Sequence, residues 1–97
     1  MLSGKQRSYL RSKGNQMKPV IQVGKDGISS SLVEQVNETI EARELIKVRI
    51  LNNSLYTAKE AAQELAKKCG AEVVQVIGNV CLIYRRNDEE PKYNLPN

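Results

Sequence analysis

The residues in this sequence best suited to chemistry fall within one short stretch, Val23-Gly24-Lys25-Asp26-Gly27-Ile28-Ser29. Two glycines bracket a lysine and an aspartate. Glycine permits positive φ and lets another backbone come close. A helical pattern begins just downstream, at Ser29 or Ser30, and a helix start offers unpaired N–H groups and the positive end of a dipole. Lys25 adds a mobile charge at the loop tip. Together these parts suit a phosphodiester backbone gripped without reading its bases, as the G-x-x-G loop of KH domains does. A glycine pair taken alone is as readily a strand-to-helix turn, so the rest of the sequence must decide between the readings.

The charges favour an anionic partner. The chain has 97 residues and a net charge of +4, with a pI near 9.2. From Met1 to Lys25 the charged residues are Lys5, Arg7, Arg11, Lys13, Lys18 and Lys25, with no acid among them. A one-signed segment of this kind is a footprint for nucleic acid or an anionic membrane. The acids begin at Asp26 and crowd the following helix at Glu34, Glu38 and Glu41. That face would repel phosphate, so only the N-terminal end of the helix can meet nucleic acid.

Other chemistry is poorly served. The sequence has no histidine, which removes the commonest general base and zinc ligand. It has no Walker loop and no carboxylate cluster suited to two metal ions. No enzyme activity, cofactor or metal is expected. Cys69 and Cys81 lie on apolar stripes and form no Cys-x-x-Cys pair, so both are expected to be buried, reduced thiols. No stretch reads as a membrane span or a signal peptide, and the expectation is a soluble, cytoplasmic protein.

These residues must be positioned by an α/β domain. Ser3 caps a first helix running to about Lys13 and ended by Gly14, with Leu2, Gln6, Tyr9 and Leu10 on one face and Arg7 and Arg11 opposite. Pro19 to Val23 reads as a strand. The second helix covers Ser30 to Arg43, capped by Ser29 or by Ser31 with Glu34. Leu32, Val33, Val36 and Ile40 form its apolar stripe. Glu44 to Leu51 alternates as a strand, with Ile46, Val48 and Ile50 on one side and Lys47 and Arg49 on the other. Thr57 with Glu60 caps a third helix that buries Ala58, Ala61, Ala62, Leu65 and Cys69 and stops at Gly70.

Glu72 to Ile77 and Val80 to Arg85 form a hairpin across Gly78-Asn79. An unbroken register then sets Ile77 against Val80, Gln75 against Leu82 and Glu72 against Arg85. The order is α-β-α-β-α-β-β, and one four-stranded mixed sheet packed with helices satisfies it. Residues 1–86 form the single domain, and 87–97 are read as a flexible C-terminal tail.

Three segments also resemble a known family. Lys18-Pro19-Val20-Ile21-Gln22-Val23-Gly24-Lys25-Asp26-Gly27-Ile28, Glu44-Leu45-Ile46-Lys47-Val48-Arg49-Ile50 and Gln75-Val76-Ile77-Gly78-Asn79-Val80-Cys81-Leu82-Ile83-Tyr84-Arg85 are similar to the CRM domain, the chloroplast RNA splicing and ribosome maturation domain. The likeness is to its stand-alone bacterial YhbY-like members and covers roughly residues 2 to 86. It implies an RNA-binding fold similar to the C-terminal domain of translation initiation factor three, and an association with precursors of the large ribosomal subunit. It puts the family's G-x-x-G loop on Gly24, Lys25, Asp26 and Gly27, and its basic surface on Lys5, Arg7, Arg11, Lys13 and Lys18. Asp26 departs from a purely basic loop; it either weakens phosphate binding or folds back onto backbone N–H groups.

The expected function is therefore RNA binding in ribosome assembly, by clamping the phosphate backbone. The expected partner is ribosomal RNA of a large-subunit precursor, with ribosomal proteins as a second class, no membrane, and a monomeric state. With no Phe or Trp and four Tyr, base stacking is limited and shape and phosphate recognition dominate. The alternative is a protein-interaction adaptor on the ribosome that uses the acidic face of the second helix.

Overall fold

Every helix starts at a hydroxyl side chain that takes over an orphaned N–H. A computed structural model describes residues 2–97. In α1 (Gly4–Gly14), Ser3 Oγ accepts from Gln6 N at 3.1 Å while Gln6 Oε1 accepts from Ser3 N at 3.0 Å, a reciprocal capping box. In α2 (Ser30–Arg43) the cap is Ser29, whose Oγ accepts from Leu32 N at 3.1 Å. In α3 (Ala58–Cys69) Thr57 and Glu60 form a second box. Gly14 is the last residue of α1, and its value lies in packing. A Cβ there would stand 2.4 Å from Leu82 Cδ2, so the missing side chain lets the helix lie close on the sheet.

The sheet comprises β1 (Ile21–Val23), β2 (Leu45–Ile50), β3 (Glu72–Ile77) and β4 (Val80–Tyr84), in the order β1-β2-β4-β3. β1 runs parallel to β2, and β4 is antiparallel to both β2 and β3. The last strand takes an inner position because Cys81, Leu82, Ile83 and Tyr84 are all buried, whereas β3 carries Glu72 and Gln75 and tolerates an edge. The sequence-based expectation of a four-stranded mixed sheet with three helices holds.

Two expectations need correction. Glu44 does not begin β2. It caps the C-terminus of α2 with φ 65°, and its backbone N–H donates to Ile40 O at 2.8 Å. The hairpin register also breaks. Ile77↔Val80, Val76↔Cys81 and Gln75↔Leu82 pair as expected, but a bulge at Val74 then sets Val73 opposite Ile83 and Glu72 opposite Tyr84, not Arg85. A bulge inserts one residue and exchanges the faces of those beyond it. Here it drops Val74 into the core beneath α1 and brings the Glu72 carboxylate to Leu2 N at 3.1 Å.

Two cores result. On one face α2 and α3 cover Ile21, Val23, Ile46, Val48, Ile50, Cys81 and Ile83. On the other, Leu2 and Leu10 meet Leu45, Val74, Leu82 and Tyr84, joined by Tyr93 and Leu95 from the C-terminal segment. That segment, read from the sequence as a flexible tail, makes contacts with the domain. The Glu44 carboxylate accepts from the backbone N–H groups of Asn87 at 2.8 Å, Lys92, and Tyr93 at 3.3 Å. Gln6 Nε2 donates to Pro96 O at 3.0 Å. The signal missed was a carboxylate buried at a helix end, which needs donors that only a returning chain can bring. No helix among the described residues is long and apolar enough to cross a membrane.

Candidate nucleic-acid interface

The loop between β1 and α2 is a tight turn. Gly27 N donates to Gly24 O at 3.0 Å, closing Gly24-Lys25-Asp26-Gly27, and Gly27 takes φ 67°. Glycine is favoured at the last position of such a turn. The two glycines are not equivalent. A Cβ on Gly27 would lie 3.1 Å from Tyr56 Cε2 in a backbone conformation that side chains resist. A Cβ on Gly24 would meet Asn53 Oδ1 and Leu51 Cδ1 at an ordinary 3.6 Å, with no positive φ. The fold requires Gly27; it does not require Gly24.

Around this turn lies an open cavity of about 370 Å³. All four loop residues line it, with Ser29 and Ser31 from the start of α2 and Asn53 from the β2–α3 connection. Ser29 serves the Leu32 N–H; the N–H groups of Ser30 and Ser31, in the first turn, have no intrahelical acceptor by position. Lys25 and Asp26 are exposed at the tip. Among the described residues no N–H donates to the Asp26 carboxylate, so the fold-back envisaged from sequence does not occur and its charge stands beside that of Lys25. Asn53 was legible in sequence only as part of an Asn52-Asn53-Ser54 turn. Its approach to Gly24 depends on β2 lying beside β1.

The basic residues of the N-terminal quarter do not all join the loop. Lys5, Arg11 and Lys18 are exposed. Lys13 is exposed too, with Nζ 5.3 Å above the Tyr9 ring centroid. Arg7 does not project away beside Arg11. It is half-buried, and its Nη1 donates to the Val73 carbonyl, so it pins α1 to β3. None of these side chains lines the loop cavity.

The profile of the CRS1/YhbY (CRM) domain family matches residues 2–85. The chain belongs to the CRM domain family. It is 41% identical over 96 residues to the Probable RNA-binding protein YqeI of Bacillus subtilis, covering 99% of this chain and 100% of that one. It is 40% identical over 94 residues to the Probable RNA-binding protein MJ0652 of Methanocaldococcus jannaschii, covering 95% of this chain and 69% of that one. The solution structure of SAV1595 from Staphylococcus aureus, described as a candidate RNA-binding protein, superposes with a TM-score of 0.83 at 44% identity, covering 99% of this chain and 100% of that one. This CRM domain keeps its two thiols away from solvent. Cys69 and Cys81 are free and buried, and burial pushes the Cys81 thiol up to about 12. Burial also raises Cys69, opposed in part by the Arg85 charge. Among the described residues no cluster of three or more His, Cys, Asp or Glu side chains could hold a metal ion.

Proposed function

We propose that this CRM domain binds RNA by clamping its phosphate backbone at the Gly24–Gly27 loop, and that the RNA is ribosomal, in a precursor of the large subunit. The observation that carries the reading is the loop cavity. A turn with no side chain at Gly24 leaves one wall of backbone, Lys25 supplies a charge, and the first turn of α2 offers N–H donors beside it. Backbone donors and a lysine recognise phosphate irrespective of sequence. RNA-binding names among close relatives support the same ligand class. The exposed Lys18, Arg11 and Lys13 extend the positive surface.

The test is a titration of several unrelated RNAs at several salt concentrations, with denaturant melts beside it. Lys25→Ala should weaken all of them alike and make the log–log salt slope shallower by about 0.7 for single-stranded RNA. Gly24→Ala should leave the melt nearly unchanged and weaken binding, because its Cβ would occupy the approach to the backbone. An unchanged slope for Lys25→Ala would refute the clamp. For the ribosomal assignment, the protein should sediment with large-subunit precursors from lysate at low salt and leave them at high salt. Sedimentation at the top of the gradient in both would refute that part alone.

A further inference from the structure

α1 covers only part of its sheet face. It ends at Gly14, seated on Leu82, and beyond it the face lies open. The registers place four residues in one row across all four strands there: Gln22 beside Arg49, Arg49 beside Val80, Val80 beside Ile77. Alternation turns all four away from the α2–α3 core, which holds their neighbours Ile21, Val23, Val48, Ile50 and Cys81. Gln22 and Arg49 are exposed, Val80 is half-buried, and Ile77 is 64% exposed. Directly behind this row stand Lys47 and Gln75, flanking Leu82.

The open face holds a groove of about 320 Å³, rimmed by Asn15 and Pro19 and floored by Lys47, Gln75, Val80 and Ile77. No carboxylate lines it. Lys18 precedes Pro19, and Arg11 and Lys13 occupy the last turn of α1 that ends beside it. At its β1 edge the row begins at Gln22, which also borders the loop cavity.

We infer that this row is a second RNA subsite, which takes an unpaired stretch of RNA leaving the Gly24–Gly27 loop and crossing the sheet toward the β3–β4 turn. The inference rests on the loop reading above and extends it. Arg49 and Lys47 meet the phosphates, and Ile77 and Val80 form an apolar shelf for a base or ribose. The amides of Gln75 and Asn15 are donors and acceptors that can meet base edges. At about 4.8 Å between strands the row is about 14 Å long, which suits a short run of unstacked nucleotides. Charge selects this occupant: Lys47 in the groove and Arg49 in the adjoining row stand with the amides of Asn15 and Gln75 around Ile77 and Val80, no acid lines the groove to repel phosphate, and the row reaches the loop cavity at Gln22.

The experiment titrates the full-length protein with a short labelled oligouridylate and with a blunt RNA duplex of equal charge, and follows sedimentation and melting of each variant. The variants are Ile77→Ser, the pair Lys47→Gln with Arg49→Gln, and Lys25→Ala. Ile77→Ser should weaken the single strand about fivefold with an unchanged salt slope, and leave the duplex unaffected, because only an unpaired base can rest on the shelf. The charge pair should weaken the single strand at least about tenfold and flatten the slope by about 1.4. If Lys25→Ala weakens binding and neither groove variant does, the subsite is refuted while the loop stands. If the groove variants weaken binding and Lys25→Ala does not, the subsite stands and the loop reading falls. Equal losses for strand and duplex with Ile77→Ser would refute the shelf. A dimer that Ile77→Ser dissociates, with RNA affinity unchanged, would assign the face to a second copy of the chain.

Discussion

Glu44 is wholly buried, takes the one positive φ among the described non-glycine residues, and presents its carboxylate to three backbone N–H groups of the C-terminal segment. A buried charge must be hydrogen-bonded, and bonds to a charged acceptor contribute about 1.5–3 kcal/mol each. Glu44→Ala should therefore cost about 2–4 kcal/mol in urea melts. Deleting residues 87–97 removes the same donors, so the two changes should be strongly non-additive, by at least about 1 kcal/mol; additive losses would mean the segment is not held by Glu44. The loop glycines invite a second comparison. Gly27→Ala should cost about 1–2 kcal/mol, from the left-handed backbone and the Tyr56 ring, and Gly24→Ala under about 0.5 kcal/mol.

The buried acids set a pH dependence. Burial raises Cys81 from 9.0 to about 12. Burial, and then the Glu44 charge, raise Tyr84 and Tyr93 from 10.0. Each folded pKa lies above its unfolded value, so the unfolded chain loses its protons first. Stability from these groups is intact below about pH 9 and falls as pH rises toward 12, by up to about 1.4 kcal/mol per pH unit for Cys81 alone. Cys81→Val should flatten that decline in melts across this range. Burial keeps the native Cys81 as the unreactive neutral thiol, so thiol reagents should label it only as fast as the domain opens.

At the scale of elements, Arg85 joins three of them. Just past the end of β4, it donates its backbone N–H to Glu44 O at 2.9 Å, on the β2 side of the strand. Its guanidinium reaches Asn37 Oδ1 at 2.9 Å and Glu41 Oε2 at 3.1 Å on α2, and Cys69 O at 2.7 Å at the end of α3. The Glu41 ion pair is exposed on its acidic side and contributes little; the bond to the Cys69 carbonyl satisfies a helix end. Arg85→Met should cost about 2 kcal/mol, and Arg85→Lys should recover only part of it, because an ammonium cannot fork to two helices. Equal stability of the lysine variant and the parent would show that charge, and not the fork, matters.

At the scale of the whole molecule, the loop and the open sheet face differ in charge from the outer face of α2. The acids Glu34, Glu38 and Glu41 are exposed on α2, while Lys25, Arg49, Lys47 and Lys18 lie along the loop and the open sheet face. An RNA that binds the folded chain alone should raise its stability by about 2.7 kcal/mol at a hundredfold excess over Kd. If the contacts are to phosphate, as proposed, that gain should vanish in high salt. A melt raised equally by RNA at low and high salt would place the binding energy in apolar contacts.

The helices and strands, the capping residues, the turn at Gly24–Gly27 and the inward stripes of α2 and α3 were determined by local pattern. Periodicity and end-capping act within a few residues and can be read there. Strand order, the Val74 bulge, the anchoring of residues 87–97 and the commitment of Arg7 to the Val73 carbonyl were decided only by the tertiary structure. The reason is the same in each case. A face can be read as apolar from its own residues, but which distant segment covers it depends on how much of it the nearest helix leaves bare. α1 stops at Leu82. The returning tail fills one side of that face, and the row from Gln22 to Ile77 is what stays open.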